Sequence, residues 1–203
     1  MSIIVQKYGG TSIGTIEKIS SVADKIISEK NKGNDLVVVV SAMSGETNRL
    51  IDLAQSIDPD VSGRELDTLV STGEQVTISL LALTLIKKGY NAISLTGPQA
   101  GIVTDSVFNK ARILSINNSI IKKYLRKGMI VVVAGFQGIT KDGDTTTLGR
   151  GGSDTSAVAI SVALDANECQ IYTDVDGVYT TDPRISPGAK KIDRITTEEM
   201  LEL

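Results

Sequence analysis

Histidine is absent from all 203 residues. That excludes every Ser-His-Asp type of triad, every His-ligated metal site and every histidine general base. Enzyme chemistry on this chain has to run on Lys, Arg, Asp, Glu and backbone amides. There is a single cysteine, Cys169, so no internal disulfide can form. Its place at the start of an expected strand reads as a small core residue. No concentrated basic run is present, and a net charge of −3 argues against a nucleic-acid surface. The longest strongly apolar run, near Leu80 to Ile86, is too short to span a bilayer. No charged segment followed by an apolar one opens the sequence. G-x-x-x-x-G-K-[ST] is missing, which excludes a P-loop, and H-R-D and D-F-G are missing, which excludes a protein kinase. Gly149, Gly151 and Gly152 do not fit G-x-G-x-x-G, which counts against a nicotinamide site.

What is present suits a packed globule. Hydrophobic residues make up 41% and charged residues 22% of the chain. The length fits one domain, and a cytoplasmic enzyme or binding domain is the default expectation. Ile3 to Tyr8 reads as a strand, and Ile16 to about Lys30 as a helix. Leu36-Val37-Val38-Val39-Val40 and Met129 to Ala134 read as strands buried on both faces of a parallel sheet. Thr47 to Gln55 reads as a helix. So does Arg64 to Lys88, broken near Ser71-Thr72-Gly73-Glu74. Ala92 to Leu95 is a short strand, Ile113 to Leu125 carries a helical face, and Lys141 to Asp144 is an exposed hairpin tip. A helix over about 154–166, a strand over 168–173 and a long loop to Lys191 follow. Strands alternating with helices imply α/β layers around a mostly parallel sheet. Ligands then belong outside the carboxyl ends of the strands. The turns at Gly9-Gly10 and Ser41 to Gly45 and the loop Gly135 to Gly152 all follow strands, and could share one edge.

The centre of the sequence is Thr145-Thr146-Thr147-Leu148-Gly149-Arg150-Gly151-Gly152-Ser153-Asp154-Thr155-Ser156-Ala157. Three glycines in four positions allow a sharp turn and a close backbone approach to a ligand. Ser153, Asp154 and Thr155 are good N-cap residues for the helix that follows. A helix N-terminus with Arg150 beside it makes an anion site. Lys7, before Gly9-Gly10, makes a second.

The stretch GRGGSDTSA resembles the signature of the amino acid kinase superfamily, in the form used by aspartate kinases. Val5-Gln6-Lys7-Tyr8-Gly9-Gly10-Thr11-Ser12 is similar to the family's opening K-[FY]-G-G-[TS]-S. Tyr172-Thr173-Asp174-Val175-Asp176-Gly177-Val178-Tyr179-Thr180-Thr181-Asp182-Pro183-Arg184 is a third matching stretch. Either glycine loop alone would be weak evidence, but three motifs in the family's order are strong. The resemblance runs from residue 3 to 203. It implies a three-layer αβα sandwich, with residues 1–203 forming the catalytic domain.

The resemblance also implies roles. Lys7 would hold the transferring phosphoryl group, with Asp154 organising that lysine. Tyr8, Gly9, Gly10 and Ser41 would meet the phosphates of ATP, Gly9 and Gly10 through backbone N–H groups. Thr173, Asp174, Tyr179, Asp182 and Arg184 match nucleotide-binding positions. Glu74 would hold the ammonium of L-aspartate and Arg150 its α-carboxylate, with Thr47, Gly151, Gly152 and Ser153 completing the acceptor site. Taken alone, Ser41 and Thr47 would be ordinary turn and cap residues, Glu74 a solvated helix carboxylate and Asp154 an N-cap. Asp174-Val175-Asp176-Gly177 could suggest a calcium loop, but the remaining EF-hand ligand positions are absent.

The implied reaction is transfer of the γ-phosphoryl of ATP, with Mg²⁺, to the β-carboxylate of aspartate, the first step toward lysine, threonine and methionine. No other metal site is expected, nor any nucleic-acid or membrane partner. A homo-oligomer is expected for the full-length form. The alternatives are another phosphotransferase of the superfamily or a non-catalytic nucleotide-binding fragment. Glu198 to Leu203 has helical spacing and no C-cap, where family members continue into a further nucleotide-contacting segment and two ACT domains. That leads to the expectation of a truncated chain with an apolar patch at Met200, Leu201 and Leu203 and no feedback site.

Overall fold

The computed structural model describes residues 2–149, 151–174, 177–196 and 198–199. The chain divides into two compact units, Met1–Tyr172 and Thr173–Leu203. The first unit contains β1 (Ile3–Tyr8), α1 (Ile16–Lys30), β2 (Asp35–Val40), α2 (Glu46–Gln55), α3 (Arg64–Val70), α4 (Thr72–Lys87) and β3 (Ala92–Leu95). It continues with β4 (Ile102–Thr104), β5 (Ile113–Ile116), α5 (Ser119–Leu125), β6 (Ile130–Ala134), β7 (Gln137–Ile139), β8 (Thr145–Thr147), α6 (Gly152–Leu164) and β9 (Glu168–Tyr172). The second unit carries the antiparallel pair β10 (Val178–Tyr179) and β11 (Lys191–Ile192).

Five strands form the central sheet in the order β3-β6-β2-β1-β9, every pair parallel. The pleat sends alternate side chains to opposite faces. Leu36, Val38, Val40, Ile130 and Val132 pack with Ile19, Val22 and Ile26 of α1 and with Ile78, Leu81 and Leu85 of α4. Val5, Val37, Val39, Val131 and Val133 pack with Ile121 and Leu125 of α5 and with Ala157, Ile160 and Leu164 of α6. The result is the expected αβα sandwich. Each of these fully buried aliphatic side chains contributes about 1.5–3 kcal/mol of transfer free energy, so the valine runs carry both layers.

α3 and α4 together are long and apolar enough, by length and composition, to cross a membrane. Here α4 lines the core with Ile78, Leu81, Ala82 and Leu85. The break between the two helices falls at Ser71, whose carbonyl accepts a hydrogen bond from Gln137 Nε2 at 2.9 Å.

Several expectations change. Ile113 to Leu125 is not one helical face: Ile113–Ile116 is β5, paired antiparallel with β4, and only Ser119–Leu125 is helical. β5 belongs to a second, four-stranded sheet, β5-β4-β7-β8, which short strands had concealed. α6 starts two residues earlier than expected and ends at Leu164. Its N-cap is Gly151 at φ 73°, ψ 10°, with no side-chain cap, so Ser153, Asp154 and Thr155 lie inside the helix. A left-handed N-cap suits glycine, which has no Cβ to clash there. Lys141 to Asp144 is the tip of the β7–β8 hairpin as expected. Cys169 packs half-buried beside the α5/α6 face of the core.

Candidate active site

The carboxyl ends of β1, β2 and β6 lie side by side in the sheet, in register at Tyr8, Val40 and Ala134. The loops that follow these strands carry most of the expected site residues. Lys7 is on the same face of β1 as Val5, the face covered by α6. Its side chain is buried, 8% exposed, and its ammonium lies 2.7 Å from Oδ1 of Asp154 in the first turn of α6. The two meet as a contact ion pair outside regular hydrogen-bond angles, so Oδ1 has no aligned donor. Asp154 is favoured twice, by the lysine and by the positive end of α6.

Gly9 and Gly10 follow directly. The Gly9 N–H donates to the Tyr172 carbonyl at 3.4 Å, a long bond that occupies a donor expected for phosphate. A Cβ on Gly9 would stand 3.5 Å from Lys7 Nζ, an ordinary contact, so packing alone does not demand glycine there. A Cβ on Gly10 would come within 2.8 Å of the Ala42 carbonyl oxygen, so only glycine fits. Tyr8 turns the other way. Its ring is buried and stacks on Tyr172 with centroids 4.6 Å apart, and burial pushes its hydroxyl pKa well up. Its backbone instead joins the β2 loop, with the Tyr8 carbonyl accepting from Ser41 N at 3.3 Å.

A cavity of about 170 Å³ lies beside this lysine loop, lined by Ser41, Thr47, Glu74, Phe136, Gly149, Gly151, Gly152 and Ser153. Pockets for drug-sized ligands run to about 300–1,000 Å³, so this one suits a much smaller molecule. Ser41 Oγ and Ser153 Oγ are 2.9 Å apart, joining the β2 loop to α6. Glu74 is 2% exposed. Its Oε1 accepts from Ala42 N at 3.1 Å, while Oε2 has no partner among the described residues. Burial pushes the Glu74 carboxyl up to about 7 against the two backbone hydrogen bonds that favour its charged form. An unpartnered carboxylate oxygen in a small cavity is costly unless a donor fills it. Opposite it, the first turn of α6 leaves N–H groups without intrahelical partners. The cavity therefore has one wall with an unpartnered carboxylate oxygen, at Glu74, and another built from the start of α6.

The structure thus brings together Lys7, Gly9, Gly10, Ser41, Thr47, Glu74, Gly151, Gly152, Ser153 and Asp154. Arg150 lies outside the described residues, as do Met200, Leu201 and Leu203. Thr173, Asp174, Tyr179, Asp182 and Arg184 belong to the second unit. There Thr173 Oγ1 donates to Asp174 Oδ1 at 3.2 Å. Arg184 forks onto Asp182 at 2.7 and 3.1 Å, and its hydrogen bonds hold that carboxyl below its ordinary pKa. Sequence reasoning missed Phe136 as a cavity wall and placed Gly149 in the ligand loop without a role of its own. Phe136 holds φ 66°, uncommon for a bulky residue, and nothing in its identity announces that.

The family's sequence profile, described as the amino acid kinase family, matches residues 2–203. The chain belongs to this family. An aspartate kinase of Pseudomonas putida is 62% identical over 203 residues, all of this amino acid kinase but 49% of the relative. A crystal structure of an aspartate kinase from Synechocystis superposes with TM-score 0.85 at 52% identity, covering 98% of this chain and 33% of that one. The structure of Escherichia coli aspartokinase III in complex with aspartate and ADP superposes with TM-score 0.81 at 29% identity, covering 94% and 53%. The chain spans about half the length of the curated relatives it matches.

Proposed function

We propose that this amino acid kinase is the catalytic domain of an aspartate kinase, transferring the γ-phosphoryl group of ATP to the β-carboxylate of L-aspartate. The observation that carries the reading is Glu74, a buried carboxylate with an unpartnered oxygen in an amino-acid-sized cavity next to Lys7. The ammonium of aspartate would satisfy Oε2. Its α-carboxylate would face the first turn of α6 and Arg150, with Thr47, Gly151, Gly152 and Ser153 as the remaining walls. The β-carboxylate, with an ordinary pKa of about 3.9, is already ionised at neutral pH. It needs no general base, which agrees with a chain that has no histidine.

What the reaction needs is charge neutralisation as an anion approaches a polyanion. Lys7 supplies a fixed cation, oriented by Asp154, beside the Gly9-Gly10 turn, which packs against the Ala42 carbonyl. These residues suit a nucleoside triphosphate. Mg²⁺ would arrive mainly on the phosphates, its usual ligands in such sites, and would neutralise charge there. Thr173, Asp174, Tyr179, Asp182 and Arg184 are proposed to hold the nucleotide. The relative crystallised with aspartate and ADP supports both ligands.

The reading extends to a cytoplasmic enzyme at the head of lysine, threonine and methionine synthesis, with no nucleic-acid or membrane partner. It also extends to self-association through the exposed apolar stripe Val76, Leu83 and Ile86 on α4. Leu83→Glu is expected to lower the mass measured by light scattering. ADP release measured with aspartate, glutamate, acetylglutamate, carbamate or UMP as acceptor tests the function. Turnover is expected with aspartate. Equal rates with no acceptor would overturn the reading.

A further inference from the structure

Two carboxylates are buried among the described residues, Glu74 and Asp67, and the mechanism uses only the first. Asp67 of α3 is 0% exposed. Its Oδ1 accepts from Asn109 N at 3.1 Å, Asn109 Nδ2 at 2.6 Å and Thr147 Oγ1 at 2.5 Å. Its Oδ2 accepts from Asn109 N at 3.0 Å and Thr147 N at 2.8 Å. Every group facing the two oxygens is a donor, so only an all-acceptor side chain satisfies them. An asparagine would turn an NH₂ toward these donors.

The partners of Asp67 belong to distant parts of the chain. Asn109 holds a left-handed φ of 66°, and its Oδ1 accepts from Gly63 N, at the start of α3, at 2.8 Å. Thr147 ends β8 and stands two residues before Gly149. Beyond it, Leu148 N donates to the Phe136 carbonyl at 2.8 Å, and Gly152 N to the Gly149 carbonyl at 3.0 Å. Phe136, Gly149 and Gly152 all line the cavity, whose opposite wall is Glu74 on α4, next to α3. Asp67 therefore ties the base of the glycine-rich loop to the same helix pair that presents Glu74.

We propose that Asp67 is a positioning residue that fixes the glycine-rich loop at its Thr147 root and so sets the span of the acceptor cavity. This rests on the aspartate reading above. Proper spacing matters because a displacement of about 1 Å can cost about a hundredfold in rate. Asp67 touches no substrate. It acts through Thr147.

The test compares Thr147→Val, Thr147→Ser and Asp67→Asn. Valine removes one donor to Asp67 and serine restores it. Thr147→Val and Asp67→Asn are expected to raise KM for aspartate by about tenfold or more, with KM for ATP changed less than about twofold. Thr147→Ser should return to the parent value. Amide hydrogen exchange at Leu148 and Gly152 should quicken in Thr147→Val and recover in Thr147→Ser. If Asp67→Asn does not fold, the Thr147 pair carries the test. A lowered Tm with unchanged aspartate KM would overturn the proposal, as would equal changes for both substrates. If the parent protein shows no aspartate-dependent turnover, the functional reading fails by itself. Exchange at Leu148 and Gly152 then decides the clamp: faster exchange upholds it and unchanged exchange overturns it.

Discussion

The ammonium of Lys7 lies 2.7 Å from Oδ1 of Asp154, joining the end of β1 to the first turn of α6. The lysine side chain is 8% exposed and the aspartate side chain 45%. Removing the two partners should therefore have unequal effects. Lys7→Ala leaves a half-solvated carboxylate at a helix N-terminus, which is tolerable. Turnover should fall by at least about a hundredfold, as for other lost transition-state donors, while Tm stays near the parent value. Asp154→Asn leaves a buried ammonium unpaired, so it should lower both turnover and Tm. Steady-state kinetics and thermal unfolding of both variants check this.

Glu74 should give the protein a characteristic pH dependence. Its carboxyl sits at about 7 against an ordinary 4.5 because burial disfavours the charge. Between those values the native state holds a proton that the unfolded chain has released. Stability therefore falls as pH rises through this window, by about 3 kcal/mol as an upper bound. Glu74→Gln removes this slope, so the variant should gain in Tm relative to the parent between pH 5 and 8. Saturating aspartate should restore the parent, because its ammonium pairs with the ionised carboxylate. KM for aspartate should rise as pH drops below about 7, by about tenfold per unit at the limit, and this pH dependence should vanish in Glu74→Gln.

Two glycine substitutions should separate the two halves of the site. A Cβ at Gly10 meets the Ala42 carbonyl oxygen at 2.8 Å, on the side proposed for phosphate. A Cβ at Gly152 meets Phe136 Cδ2 at 2.7 Å and Leu148 Cβ at 2.8 Å, on the side proposed for the acceptor. Each overpacking should cost about 1–3 kcal/mol. Gly10→Ala should mainly raise KM for ATP, and Gly152→Ala mainly KM for aspartate. Initial-rate kinetics with each substrate varied would show the split.

The sandwich was legible because its central strands are unbroken valine runs, Val37 to Val40 and Val131 to Val133, which only burial on both faces explains. The second sheet was not. β4, β7 and β8 are three residues each, too short for a period to show. β5 failed differently: its end residues Ile113 and Ile116 are half-buried and the middle two exposed, a spacing of three that mimics a helix. In the site, the glycine loops and their cations were legible from composition. The state of Glu74 was not, because its burial comes from the Ala42 turn and the first turn of α4 packing together, where a Cβ on Gly73 would stand 2.9 Å from Ala42 Cβ. Asp67 reads in the sequence as one more helix carboxylate. Its role depends on Asn109 and Thr147, 42 and 80 residues away.

The central claim is that the cavity between Glu74 and the glycine-rich loop presents the β-carboxylate of aspartate to the phosphoryl group beside Lys7. The most direct measurement is capture of the acyl phosphate: incubation with MgATP and L-aspartate in the presence of hydroxylamine, with aspartyl hydroxamate and ADP quantified together. The account predicts hydroxamate formed in step with ADP by the parent protein, and neither product above background in Lys7→Ala. ADP released without hydroxamate, or hydroxamate formed equally well by Lys7→Ala, would contradict it.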